Sequence, residues 1–352
     1  MSRTTTAVTL VAMVAAALSG AAAISPPAAA QALAPARLEV PLGLDLYLPA
    51  PETNPLDAGK IALGRMLFFD PRLSVDGTMS CSTCHDPARA FADDKPVAEG
   101  VFGRKGTRNV PTLVNRGYGA SHFLDGRAAS LENQVLQPIE NRNELGYNLQ
   151  LLVATLGNDT TYRAEFQQTF GGLAVAGTLA EALASYVRSI LSGNAAVDRY
   201  LNGDRRALSS QQLAGMRIFV GRGNCSACHV GANFTDEEFH NTGVAWVAMK
   251  PTSDNEPATD FADVGRYAVT GAPRDLGAFK TPTLREIAST APYMHDGSLA
   301  SLAEVIDFYD RGGTHNPRFD RRIQPLGLTP AEKEALLSYL DALGGTVQEG
   351  TP

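Results

Sequence analysis

Cysteine occurs four times in the 352 residues, each time within a Cys-x-x-Cys-His run: Cys81, Cys84 and His85 in "CSTCH", and Cys225, Cys228 and His229 in "CSACH". Two thiols at this spacing can add to the two vinyl groups of haem as thioethers, and the adjoining imidazole then lies under the iron. Zinc is the competing chemistry, with Cys81, Cys84, Cys225 and Cys228 converging on one ion. Thiolate zinc sites do not require a histidine directly after the second cysteine, and here it occurs twice. A dithiol redox pair gives neither histidine a role. No cysteine is left over for a disulfide framework. The runs predict two covalently bound haem c groups, with His85 and His229 as iron ligands.

Such groups need helices and ordered loops to hold them, and the chain repeats itself around each run. "LGRMLFFD" (Leu63 to Asp70) precedes the first and "AGMRIFVG" (Ala214 to Gly221) the second. Each reads as a helix that feeds a loop and then the cysteines, which points to two related domains. Between them, Leu179, Leu183, Val187, Ile190 and Leu191 form one apolar face, with Thr178 and Glu181 as a capping box and Gly193 as the stop. Near the C-terminus Thr329 caps, Pro330 takes the first helical position and Glu332 closes the box. Leu336, Leu340 and Leu343 then line a face. Strand-like alternation is nearly absent. The predicted fold is mainly α, two cytochrome c-like haem domains with long ordered loops.

The formal net charge of −7 and the lack of a basic patch set nucleic acid aside as a partner. Arg3, the apolar run Ala7 to Leu18 and "AQA" at Ala30 to Ala32 have the pattern of a secretory signal peptide over residues 1–32. That run is too short for a membrane span, and no later segment is long enough. The expected division is then 33–200 and 201–352, in a periplasmic protein. Export also fits the compartment in which c-type haem is attached.

The chain resembles the bacterial dihaem cytochrome c peroxidase and MauG family. The match runs through "LGRMLFFDPRLS", "CSTCH", "RNVPTLVN", "DGRAASLENQ", "CSACH" and "TPTLREIASTAPYMHDGSLASLAEVIDFYDRGG". The resemblance implies an enzyme whose first haem reacts with hydrogen peroxide while the second stores or relays an oxidising equivalent. It assigns Gln134 and Glu144 to the peroxide pocket, with Pro138 lining it. It places Tyr309 as the second ligand of the second haem, where the MauG branch has tyrosine and typical peroxidases have methionine. Met294 is the rival. It also implies a calcium ion held by Asn109, Thr290 and Pro292, whose carbonyl oxygens suit a hard cation.

Two departures bear on mechanism. Peroxidases of this family that need reductive activation carry a blocking histidine before "RNVPT". Val101 stands there, and no histidine occurs between His85 and His122, so the first haem is expected to be open at rest. The inter-haem tryptophan is replaced by Leu124, and the single tryptophan, Trp246, lies elsewhere. His122, His240, His295 and His315 read as structural or surface residues. The leading expectation is a MauG-like enzyme that uses high-valent haem iron to oxidise a periplasmic protein partner. Alternatives are a peroxidase fed by a small cytochrome or cupredoxin, and a non-catalytic dihaem carrier.

Overall fold

The computed structural model describes Met1 and residues 38–247 and 261–350; the leader read from Arg3 to Ala32 lies outside the described residues. Two helix pairs organise the chain. Helix α1 (Ala58–Phe68) begins where the Asp57 carboxylate accepts the Lys60 N–H at 3.0 Å, and it packs on α2 (Ala176–Arg188). Helix α3 (Ser210–Val220) packs in the same way on α5 (Pro330–Asp341). A glycine lets the backbones meet in each pair. A Cβ on Gly64 would fall on the Ala182 carbonyl, and one on Gly215 on the Ala335 carbonyl. An aromatic pair closes beside each glycine: Phe68 with Tyr186 (5.0 Å, 59°) and Phe219 with Tyr339 (5.2 Å, 60°). Helix α4 (Leu302–Asp310), capped by Ser301, carries Tyr309.

The capping box of α5 is as its sequence predicts, and Leu336 and Leu340 lie on its buried face, whereas Leu343 is buried just beyond the helix end. Thr329 Oγ1 accepts the Glu332 N–H and Glu332 Oε2 accepts the Thr329 N–H at 2.8 Å. The start of α2 differs from expectation. It begins at Ala176, the Thr178 hydroxyl accepts the Val175 N–H at 3.1 Å, and Glu181 instead pairs with Lys60 at 3.0 Å. Leu191 to Gly193 leave the helix because their backbone is claimed by strand pairing. β1 (Leu191–Gly193) runs antiparallel to β4 (Thr346–Gln348), with Leu191 opposite Gln348. The other small sheet pairs β2 (Phe239–His240) with β3 (Phe279–Lys280).

From residue 38 onward the described residues form one compact unit. Within it, one apolar cluster draws on residues from Ile61 to Ile190 and another on residues from Ala195 to Leu343. The repetition extends to the backbone. Asn115 and Glu286 both sit at positive φ (59° and 60°), as do Phe123 and Met294 (64° and 72°). Bridges His122–Ala128 and Tyr293–Leu299 close equivalent turns. Among the described residues no helix is long and apolar enough to cross a membrane.

Candidate functional site

Ser80 starts the helical turn Cys81–Cys84, with its N–H donated to the Thr83 hydroxyl at 3.0 Å. The chain then loops so that the Phe91 carbonyl meets His85 Nδ1 at 2.9 Å; in the second half the Phe234 carbonyl meets His229 Nδ1 at 2.9 Å. A carbonyl can only accept, so Nδ1 carries the proton and the Nε2 lone pair is left for a metal. Burial pushes His85 down to about 4 and also lowers His229, which favours neutral rings at ordinary pH.

None of the cysteines is in a disulfide. Burial pushes the Cys81 thiol up to about 12, and the Cys84 and Cys225 thiols up to about 11. Among the described residues, the one group of His, Cys, Asp and Glu atoms close enough to share an ion is Cys228, Asp236 and His240. The four cysteines do not converge, so the shared zinc site has no geometric basis. Neutral thiols beside a free imidazole nitrogen fit thioether attachment of haem.

A cavity of about 850 Å³ reaches both runs, with Cys84 and His85 at one part of its wall and Cys225, Cys228 and His229 at another. Gln134, Pro138 and Glu144 also line it. Gln134 ends the short helix Leu131–Gln134, and Glu144 sits in the loop beyond Gln137–Glu140. Glu144 Oε1 accepts from Asn141 Nδ2 at 2.6 Å. Burial raises its pKa above the ordinary glutamate value, against the opposing pull of Asn141 and the Arg127 charge.

Tyr309 and Met294 both line the cavity. Burial, reinforced by the nearby cysteines, pushes the Tyr309 phenol up. Val101 is only 1% exposed and is not part of the cavity wall. Its N–H donates to the Glu144 carbonyl at 2.9 Å, and Gly100 lies so close to Asn143 and Glu144 that no Cβ would fit. The loop at Gly100 and Val101 is thus packed against the backbone of Glu144.

Asn109, Thr290 and Pro292 line the same cavity. Asn109 Nδ2 donates to the Lys95 and Pro96 carbonyls at 3.0 and 3.3 Å, which turns Oδ1 to other use. Among the described residues no backbone N–H bonds to the Thr290 or Pro292 carbonyl. Free oxygens of this kind suit calcium.

Several cavity groups were not legible as such. His122 is buried in the wall. His240 is held between Asp236 at 3.0 Å and Asp320 at 2.9 Å. Arg116 and Lys280 share Glu237, at 3.0 and 2.9 Å. Recurrence of Pro-Thr-Leu at Pro111 and Pro282 was the available signal, since both segments line the cavity. Trp246 lies outside the wall, edge-on to Phe261 at 5.0 Å, and His315 packs on Phe319.

The sequence profile described as di-haem cytochrome c peroxidase matches residues 58–206. A cytochrome-c peroxidase of Denitromonas iodatirespirans is 37% identical over 316 residues, covering 84% of each chain. The methylamine utilization protein MauG of Methylorubrum extorquens is 36% identical over 298 residues, covering 84% of this chain and 81% of that one. A solved MauG-like protein associated with microbial copper homeostasis superposes with a TM-score of 0.77 at 32% identity, covering 86% of this chain and 95% of that one. Similarity to both kinds of relative extends over most of the chain and takes in both haem-binding runs. The chain therefore belongs to the di-haem cytochrome c peroxidase family and is a peroxidase-like oxidoreductase, with two haem c groups as the cofactors its family implies.

Proposed function

We propose that this is an exported, periplasmic enzyme that consumes hydrogen peroxide at the His85 site and withdraws electrons from a partner protein through the His229 site, in the manner of MauG. The halves 33–200 and 201–352 would each form one haem domain. Cys81, Cys84 and His85 would hold the first haem; Cys225, Cys228 and His229, with Tyr309, the second. Bound haem supplies the electron-transfer chemistry with peroxide.

The protein groups handle protons and access. Glu144, half-buried and raised in pKa, takes a proton from one peroxide oxygen and delivers it to the other. The Gln134 amide orients peroxide or water by hydrogen bonding. Val101, turned into the core, leaves the first site unblocked. Asn109, Thr290 and Pro292 would hold calcium between the two sites. The observation that carries this reading is that Gln134, Glu144 and His85 share one cavity with His229 and Tyr309.

Met294 in the same wall supports a second reading, a plain peroxidase fed by a small cytochrome or cupredoxin. Peroxide turnover with a reduced small cytochrome as donor separates the two. The MauG-like reading expects slow turnover, and a long-lived oxidised state when donor is absent. Rapid cytochrome-driven turnover would reassign the enzyme to peroxide removal.

A further inference from the structure

The two halves meet in a reciprocal contact to which the peroxide chemistry above gives no role. Arg108 to Leu113 ("RNVPTL") matches Phe279 to Leu284 ("FKTPTL"), and the turn Phe123 to Gly126 matches Met294 to Gly297. Each segment reaches into the other half. The Asn109 N–H donates to the His295 carbonyl at 2.8 Å, and the Lys280 N–H donates to the Leu124 carbonyl at 2.8 Å. Leu124 and His295 therefore hold equivalent places, and so do Arg108 and Phe279.

The side chains break this equivalence. Leu124 is saturated. The Arg108 guanidinium is engaged by Asp125 at 2.6 Å and by Asp263 at 2.7 and 2.9 Å. On the other arm the His295 imidazole lies flat on the Phe279 ring, with centroids 3.7 Å apart and planes within 15°. Arg108 also lies 5.4 Å from the Phe279 centroid. All four residues line the cavity that reaches His85 and His229.

We propose that the stacked rings of His295 and Phe279 are the route by which electrons pass between the two haem sites. This rests on the dihaem reading above. Overlapping π systems couple distant redox centres better than a saturated side chain does, so only one arm of the pseudo-symmetric contact conducts. In each transfer one electron leaves the second site and arrives at the first. The second haem is oxidised and the first reduced by one, with no bond or proton changing at either ring.

The test uses the haem-loaded full chain and follows optically how fast one photoinjected electron equilibrates between the haems. His295→Leu and Phe279→Leu should each slow equilibration while both reduction potentials stay unchanged. His295→Phe, which keeps a flat ring, should retain most of the rate. Leu124→Trp added to His295→Leu should restore it. An unchanged rate in both leucine variants with two haems present overturns this proposal alone, as does a slowing accompanied by shifted potentials, which reports packing. Fewer than two haems in the unaltered chain, by pyridine haemochrome assay, overturns the dihaem reading and the relay with it.

Discussion

Glu144 is a carboxyl held half out of water with one amide partner, and its charge state governs the chemistry assigned to it. A proton acceptor works only when ionised. Its pKa lies above the ordinary glutamate value, so peroxide reactivity should fall as pH drops through a point above 4.5. Glu144→Gln should flatten that acid limb and slow the peroxide reaction by about 10²–10⁴-fold with both haems retained, measured by stopped flow across pH. Tyr309 governs the second site. If Tyr309 holds the second haem as proposed, Tyr309→Phe removes an oxygen ligand, and resonance Raman of the haem-loaded protein should report its loss at that haem, with the first unchanged. An unchanged ligand would exclude Tyr309, and a sulfur ligand in the unaltered protein would assign Met294. Residue identity was the most legible scale. The Cys-x-x-Cys-His runs announce their cofactor because attachment needs those atoms at that spacing. His122 and His240 carry no such signature, because their roles depend on Asp236, Asp320 and a cavity wall assembled from distant segments.

At the scale of elements, the helix pairs depend on close backbone approach. Gly64→Ala or Gly215→Ala puts a methyl group on a facing carbonyl, so each should force its pair apart. The expected cost is about 1–3 kcal/mol, read as a lower urea midpoint, with the larger share of haem loss in the half that carries the change. The helix α5 was readable from its Thr329–Glu332 box and leucine spacing, because caps and apolar faces are local. The start of α2 was not, because Glu181 is drawn to Lys60 on another helix. Leu191 to Gly193 were read as a helix end for a similar reason: their strand partner, Thr346–Gln348, lies at the far end of the chain. The loop at Val101 shows the same limit. That no histidine stands there is plain in the sequence, whereas the bond from Val101 to the Glu144 carbonyl emerges only in three dimensions.

Across the whole molecule, two similar halves are tied together around one cavity. Arg285 and Asp198 form a doubly hydrogen-bonded ion pair at 2.6 and 2.9 Å, with side chains 1% and 3% exposed. Removing one partner strands the other charge, so Asp198→Ala should destabilise the protein by about 3–5 kcal/mol in denaturant titration. The repeat was partly legible in the phenylalanine-bearing helices before each haem-binding run. Its extent, down to matched positive-φ residues and reciprocal hydrogen bonds, was hidden because the side chains at equivalent places have diverged. The central claim is that the first haem site is open in the oxidised enzyme and backed by its own acid. The most direct measurement mixes the fully oxidised, haem-loaded protein with one equivalent of hydrogen peroxide in a stopped-flow spectrometer, with no reductant present. Prompt stoichiometric consumption of peroxide and an immediate haem spectral change are expected. A protein that stays inert until one haem has been reduced would contradict the claim.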